Sequence, residues 1–197
     1  MIQTVSSAVV IVPLLLASMT LLPLLWLGRV IRLSFLRFFA LSAFIVYALG
    51  VIHVTMFPLN IVPTSMRGDD LFTSSINLEP FANAGEVSYA LNVIMMIPFG
   101  FLLPLVTRKA ASLKTITIAG FLTSVAIEGM QLLMLVTLGN RRIVDVDDLI
   151  ANTGGTIIGY VAFVAMFGVA TAIVREVGRT PRQVAPRTRL EPIPRQS

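Results

Sequence analysis

The chain has 197 residues, of which 56% are hydrophobic and 13% charged, with a formal net charge of +5. This balance lies outside the usual range of water-soluble domains, so a soluble core is the wrong starting point. Cysteine is absent, which excludes a disulfide framework and a thiolate metal site.

A hydrocarbon core about 30 Å thick is crossed by roughly 20 mostly apolar residues in a helix. Runs of that length occupy residues 5–27, 38–59, 87–106, 115–138 and 149–174, and Glu128 is the one acid inside them. Lipid offers the backbone no hydrogen-bonding partner, and long unbroken apolar runs fit helices rather than the alternating strands of a barrel. The expected fold is an all-α polytopic membrane helix bundle of about five transmembrane helices. Three parts are expected: an additional N-terminal helix with a basic connection (1–34), a four-helix domain (35–174) and a disordered Arg/Pro-rich tail (175–197). The first run has no basic residue before it and no small-x-small pattern after it, which argues against a cleaved signal peptide.

Basic residues follow the first run (Arg29, Arg32, Arg37), the third (Arg108, Lys109, Lys114) and the fifth (Arg175, Arg179, Arg182, Arg187, Arg189, Arg195). The other connections hold Arg67, Arg141 and Arg142 among seven acids. The positive-inside rule then places the N-terminus outside the cytoplasm and the C-terminus inside. The basic tail reads as a topology anchor, with attraction to anionic lipid as the alternative, and nucleic acid is not an expected partner. No internal repeat is evident, which weakens a transporter reading built on paired halves.

A rise of about 1.5 Å per residue converts sequence position into depth. His53 lies about 9 Å inside the outer end of the second run, Asn92 is similarly deep in the third, and Gln131 lies about 10 Å inside the fourth. Glu128 sits three residues below Gln131, near the midplane. An ionised carboxylate there costs about 2.5–3.5 kcal/mol, so it must face the bundle interior, pair or take up a proton. Asp145, Asp148 and Asn152 fall at i, i+3 and i+7 on one stripe entering the fifth helix, while Asp147 points elsewhere. The acids also suit a helix N-terminus, so a plain cap paired with Arg142 is a competing account. Simple interhelical hydrogen bonds compete in the same way for His53, Asn92 and Gln131.

Gly155 and Gly159, with Ala151 and Ala162, form a small-residue stripe for close helix packing. Pro98 inside the third run removes a backbone donor and loosens or kinks that helix. Residues 60–85 are too polar to span, yet Leu71, Phe72, Leu78 and Phe81 suit the outer interface or a fold over the mouth of the bundle. Pro80 restricts Glu79 to an extended conformation.

Four blocks in order carry a family resemblance: Asn77-Leu78-Glu79-Pro80-Phe81; Asn92 followed by Pro98-Phe99-Gly100; Glu128-x-x-Gln131; and Arg142-x-x-Asp145-x-x-Asp148-x-x-x-Asn152-x-x-Gly155-x-x-x-Gly159. Over about residues 40–170 the chain resembles VanZ-like membrane proteins. Glu79 departs from the pattern, where an apolar residue is expected. The resemblance implies a small polytopic protein of the bacterial cytoplasmic membrane, in a family whose founding member is an accessory factor for teicoplanin resistance.

Three functions compete. The first is an envelope-associated accessory or binding factor whose outward-facing polar pocket takes the head group of a membrane lipid or lipid-linked envelope precursor, through Asn92, Glu128, Gln131, Arg142, Asp145, Asp148 and Asn152. The second is a membrane-embedded enzyme acting on phosphate or ester bonds, with Glu128 as general acid or base and His53 sharing the proton. The third is a proton-coupled carrier, for which five helices would require a homo-oligomer. Carboxylates near a membrane surface are not by themselves a metal site, and no cofactor is expected.

Overall fold

The computed structural model describes residues 2–67, 75–77, 79–80, 85–107, 109, 112–140 and 144–178. Arg142, Leu71, Phe72, Leu78, Phe81 and the tail beyond Gly178 lie outside the described residues. The chain divides into two compact units, residues 1–164 and 165–197.

Five helices carry the fold: α1 (Ala8–Leu27), α2 (Phe35–Met56), α3 (Glu86–Val106), α4 (Leu113–Leu138) and α5 (Val146–Gly178). Each is long and apolar enough to cross a membrane. Helix ends shift from the apolar runs where local chemistry dictates. Pro58 forces Phe57 into an extended conformation (φ −111°, ψ 155°), so α2 stops at Met56 rather than at residue 59. α4 starts two residues early because Ser112 caps it, accepting from the Thr115 N–H at 3.2 Å.

Short strands tie the helix ends together. β1 (Gln3–Val5) pairs antiparallel with β2 (Leu59–Ile61), joining the start of α1 to the end of α2. β3 (Ile76–Asn77) pairs parallel with β4 (Val144–Asp145), with Asn77 opposite Asp145. The Val62 N–H donates to the Leu138 carbonyl at 2.8 Å, bringing the end of α4 to the same side. Residues 60–62 and 76–77 are thus tied to this sheet-bearing end.

Packing between α3 and α5 is backbone against backbone. A Cβ on Gly155 would lie 2.2 Å from the Val93 carbonyl oxygen, one on Gly159 2.0 Å from that of Ile97, and one on Gly100 1.9 Å from that of Thr156. Only glycine allows such an approach, and dispersion with weak Cα–H contacts then holds the helices. Ala151, fully buried, extends the stripe. Ala162 does not: it is exposed, one turn beyond the close crossing.

α3 runs through Pro98 as a helix. One turn before it, the Met95 carbonyl accepts from Tyr47 Oη of α2 at 2.9 Å. The carbonyl that Pro98 leaves without an N–H donor is that of Ile94, so this bond ties α3 to α2 rather than replacing the missing one. At the opposite end from the sheets, Trp26 stacks on Phe38 at 4.4 Å and its Nε1 donates to the Leu33 carbonyl, closing the α1–α2 connection.

Candidate ligand-binding site at the sheet-bearing end

Asp145 is the centre of a polar cluster in which all four sequence blocks meet. It is a strand residue rather than the first member of a helical stripe, because pairing with Asn77 holds it extended just before α5 begins. Its carboxylate accepts from Asn77 Nδ2 at 3.1 and 3.2 Å. Its Oδ1 also accepts from the Asp147 N–H at 2.9 Å, which caps α5. Its own N–H donates to Glu128 Oε2 at 3.3 Å. The capping account of Asp145 and the clustering account are thus both realised by one side chain.

Around this centre, Asn92 Nδ2 of α3 donates to Asp148 Oδ1. Glu128 is 5% exposed and faces inward from α4, as its cost in lipid demands. Ser124, one turn below Glu128 on the same face, accepts from Asn152 Nδ2 at 3.0 Å, and its hydroxyl lies 3.5 Å from the Asp148 carbonyl. Thr156 continues the seam, donating to the Asn152 carbonyl and packing on Gly120. From Asp145 to Thr156 this polar seam descends about 16 Å, half the hydrocarbon thickness.

Gln131 is buried but serves differently: its Nε2 donates to the Thr55 carbonyl at 3.1 Å, satisfying an end carbonyl of α2. Two carboxamide oxygens, Gln131 Oε1 and Asn152 Oδ1, and one amide nitrogen, Asn140 Nδ2, are buried without a hydrogen-bond partner among the described residues. An unsatisfied buried polar atom costs about 1–3 kcal/mol.

His53 does not join the cluster. Its depth is right but its azimuth is wrong: it is exposed on the outside of the bundle, and Thr55, about 200° further round α2, turns inward instead. The paired proton chemistry expected of Glu128 and His53 is therefore not assembled. Asp147, expected off the stripe, is 2% exposed. Arg142 lies outside the described residues.

Sequence reasoning left Asn77, Ser124 and Arg67 without a site role. Asn77 was visible only as part of a block, and Ser124 only as i−4 from Glu128. Arg67 had no local signal. Its guanidinium donates to the carbonyls of Val62, Val136 and Thr137 at 2.8–3.1 Å, closing the end of α4. Gly139, left-handed at φ +67°, completes that end, and a Cβ there would lie 2.8 Å from Arg67 Nε. Glu79 is exposed and contributes its backbone N–H to Asn77 Oδ1, so its departure from the apolar pattern leaves the cluster intact.

Among the described residues, no three His, Cys, Asp or Glu side chains are placed to hold a metal ion. Comparison with known proteins adds one finding: the family model described as VanZ/LLP1 matches residues 44–168. No curated protein and no solved structure matches the chain.

Proposed function

This chain belongs to the VanZ/LLP1 family of multi-pass membrane proteins, and from that premise we propose that it is an envelope-associated accessory factor that binds the head group of a membrane lipid or lipid-linked envelope precursor. The observation that carries the reading is the convergence of Asn77, Asn92, Glu128, Asp145 and Asp148 toward the sheet-bearing end of the bundle. In this reading the basic loops place that end outside the cytoplasmic membrane, with the N-terminus outside and the C-terminus inside. The finer role in glycopeptide resistance is part of the same proposal.

A second feature supports a lipid rather than a soluble ligand. An apolar groove of about 490 Å³ begins at Val146, beside the cluster, and is lined by Phe121, Leu149, Ile150, Thr153 and Ile157. An acyl chain lying there would deliver its head group to the first turn of α5, with Arg142 contacting an anionic group. Replacing Glu128, Arg142 and Asp148 singly by Ala, at equal protein levels, is expected to change sensitivity to envelope-directed antibiotics. Unchanged sensitivity in all three would remove the reading.

A further inference from the structure

We propose that the α1–α2 connection, at the end of the bundle opposite the sheets, binds one anionic phospholipid, with its phosphate on Arg29 and Arg32 and an acyl chain in the groove between α1 and α2. This site is separate from the polar seam, and both arginines lie outside residues 44–168, which the family model matches.

Charge is the first observation. No Asp or Glu precedes Asp69 in the sequence, so Arg29, Arg32 and Arg37 have no acid in their own part of the chain. Arg67 commits its guanidinium to three backbone carbonyls. The side chains of Arg29 and Arg32, by contrast, are exposed and have no hydrogen-bond or ion-pair partner among the described residues.

The turn that presents them is the second. α1 closes with the Arg29 N–H on the Trp26 carbonyl at 3.1 Å and the Val30 N–H on the Leu25 carbonyl at 3.0 Å. This closure places a left-handed residue just past the cap, where glycine is usual. Here Gly28 is an ordinary helical residue at φ −69°, and Arg29 takes the left-handed place at φ +57°. An L side chain is strained there, and such strain is commonest where a ligand is gripped. A cation also suits a helix C-terminus, but one in the last turn of α1 would do so without strain.

Shape is the third. Arg29 and Arg32 line a cavity of about 580 Å³ with Trp26, Ile31 and Leu33. Trp26 stacks on Phe38 at 4.4 Å, and Phe38 lines an apolar groove of about 170 Å³ with Met19, Leu22, Pro23 and Val46. One aromatic pair thus gives a ring to each compartment. From Trp26 back to Ser18, which also lines the groove, the distance along α1 is about 12 Å. Guanidinium groups take phosphate oxygens in a fork, and basic pockets between membrane helices suit anionic head groups. A molecule carrying both a phosphate and an acyl chain matches both compartments, whereas a free anion matches only the first. A plain topology anchor needs neither compartment, and lysine serves it equally well.

The test uses the full chain in detergent, with binding read by native mass spectrometry against phosphatidylglycerol, phosphatidic acid and phosphatidylcholine of identical acyl chains. The two anionic lipids are expected to bind at least about tenfold tighter than the choline lipid, a difference of about 1.4 kcal/mol. Equal binding of all three overturns the proposal. Arg29→Lys with Arg32→Lys keeps the charge and is expected to reduce the anionic preference about three- to tenfold, because lysine lacks the planar fork. Arg182→Lys with Arg187→Lys, the same exchange in the basic tail, is expected to leave it unchanged. A preference that follows the tail pair and ignores the connection pair overturns the assignment.

Two further readouts locate the lipid. Phosphatidylglycerol with a photoreactive acyl chain is expected to label peptides spanning Met19–Val46, and labelling confined to other peptides overturns the groove. Displacement of the lipid by millimolar inorganic phosphate would show a site for the anion alone and overturn the lipid assignment. Arg29→Gly separates ligand from fold: it is expected to raise the Tm in lipid-free detergent while weakening phosphatidylglycerol binding. Full binding by that variant overturns the role given to Arg29. The lipid series and the photolabelling decide the matter on the native protein even if a variant fails to fold.

Discussion

α1 and α5 are both apolar helices of membrane-spanning length, yet they are held by different means. α1 buries Ile11 alone among its residues and leaves most of its leucines exposed. It packs on α2 through a small cluster with Leu49 and Phe57, and through aromatic stacking at its far end. α5 instead presses its glycines onto the backbone of α3 and runs a hydrogen-bonded seam along α4. The contrast follows from the solvent. Leucine gains nothing by leaving lipid, so large apolar side chains suffice to keep a helix in the bilayer but do not specify its neighbours. Small residues and polar groups do specify them, and here the polar groups that fix the packing also form the candidate site.

The strongest way to break this comparison is to add volume at the close crossing. Gly155→Leu is expected to cost more than about 3 kcal/mol, because its side chain meets backbone that cannot move aside. Gly154→Leu, next in sequence but with nothing within 4 Å of its Cβ, is expected to be tolerated. Thermal unfolding in detergent compares the two, and equal stability would refute the packing argument.

Next in size is Asp145→Ala, expected to cost about 2 kcal/mol, since it strands the Asn77 amide and uncaps α5. Faster amide exchange should appear at β3, β4 and the first turn of α5, and not in α1. Arg67→Ala is expected to cost about 1 kcal/mol, with fraying confined to the last turn of α4. Exchange at Gly139 and Asn140 reads this directly, and unchanged protection would show that the helix end is closed without the arginine.

The smallest effects belong to the lipid-facing surface. Leu21→Ala, at a residue 57% exposed, should stay within about 0.5 kcal/mol of the native stability. His53→Ala should leave antibiotic sensitivity unchanged, because the imidazole faces away from the cluster. A clear phenotype from His53→Ala would show that a surface outside the seam takes part in function.

Much of the molecule was legible in the sequence by itself. Five apolar runs without charges, apart from Glu128, determined the helical spans, because backbone in lipid has few other ways to satisfy its hydrogen bonds. The glycine spacing of α5 announced a close crossing, and the cost of a carboxylate in lipid turned Glu128 inward. Depth, too, follows from counting residues along a helix. Azimuth between helices does not, and that is why His53 was grouped with side chains it never meets. Only the tertiary structure decided that Asp145 is a strand residue paired with Asn77, that Arg67 closes α4, and which acceptors in the seam remain free. Each of these depends on contacts between segments distant in the chain, and hydrogen-bonding inventories close only once those partners are in place.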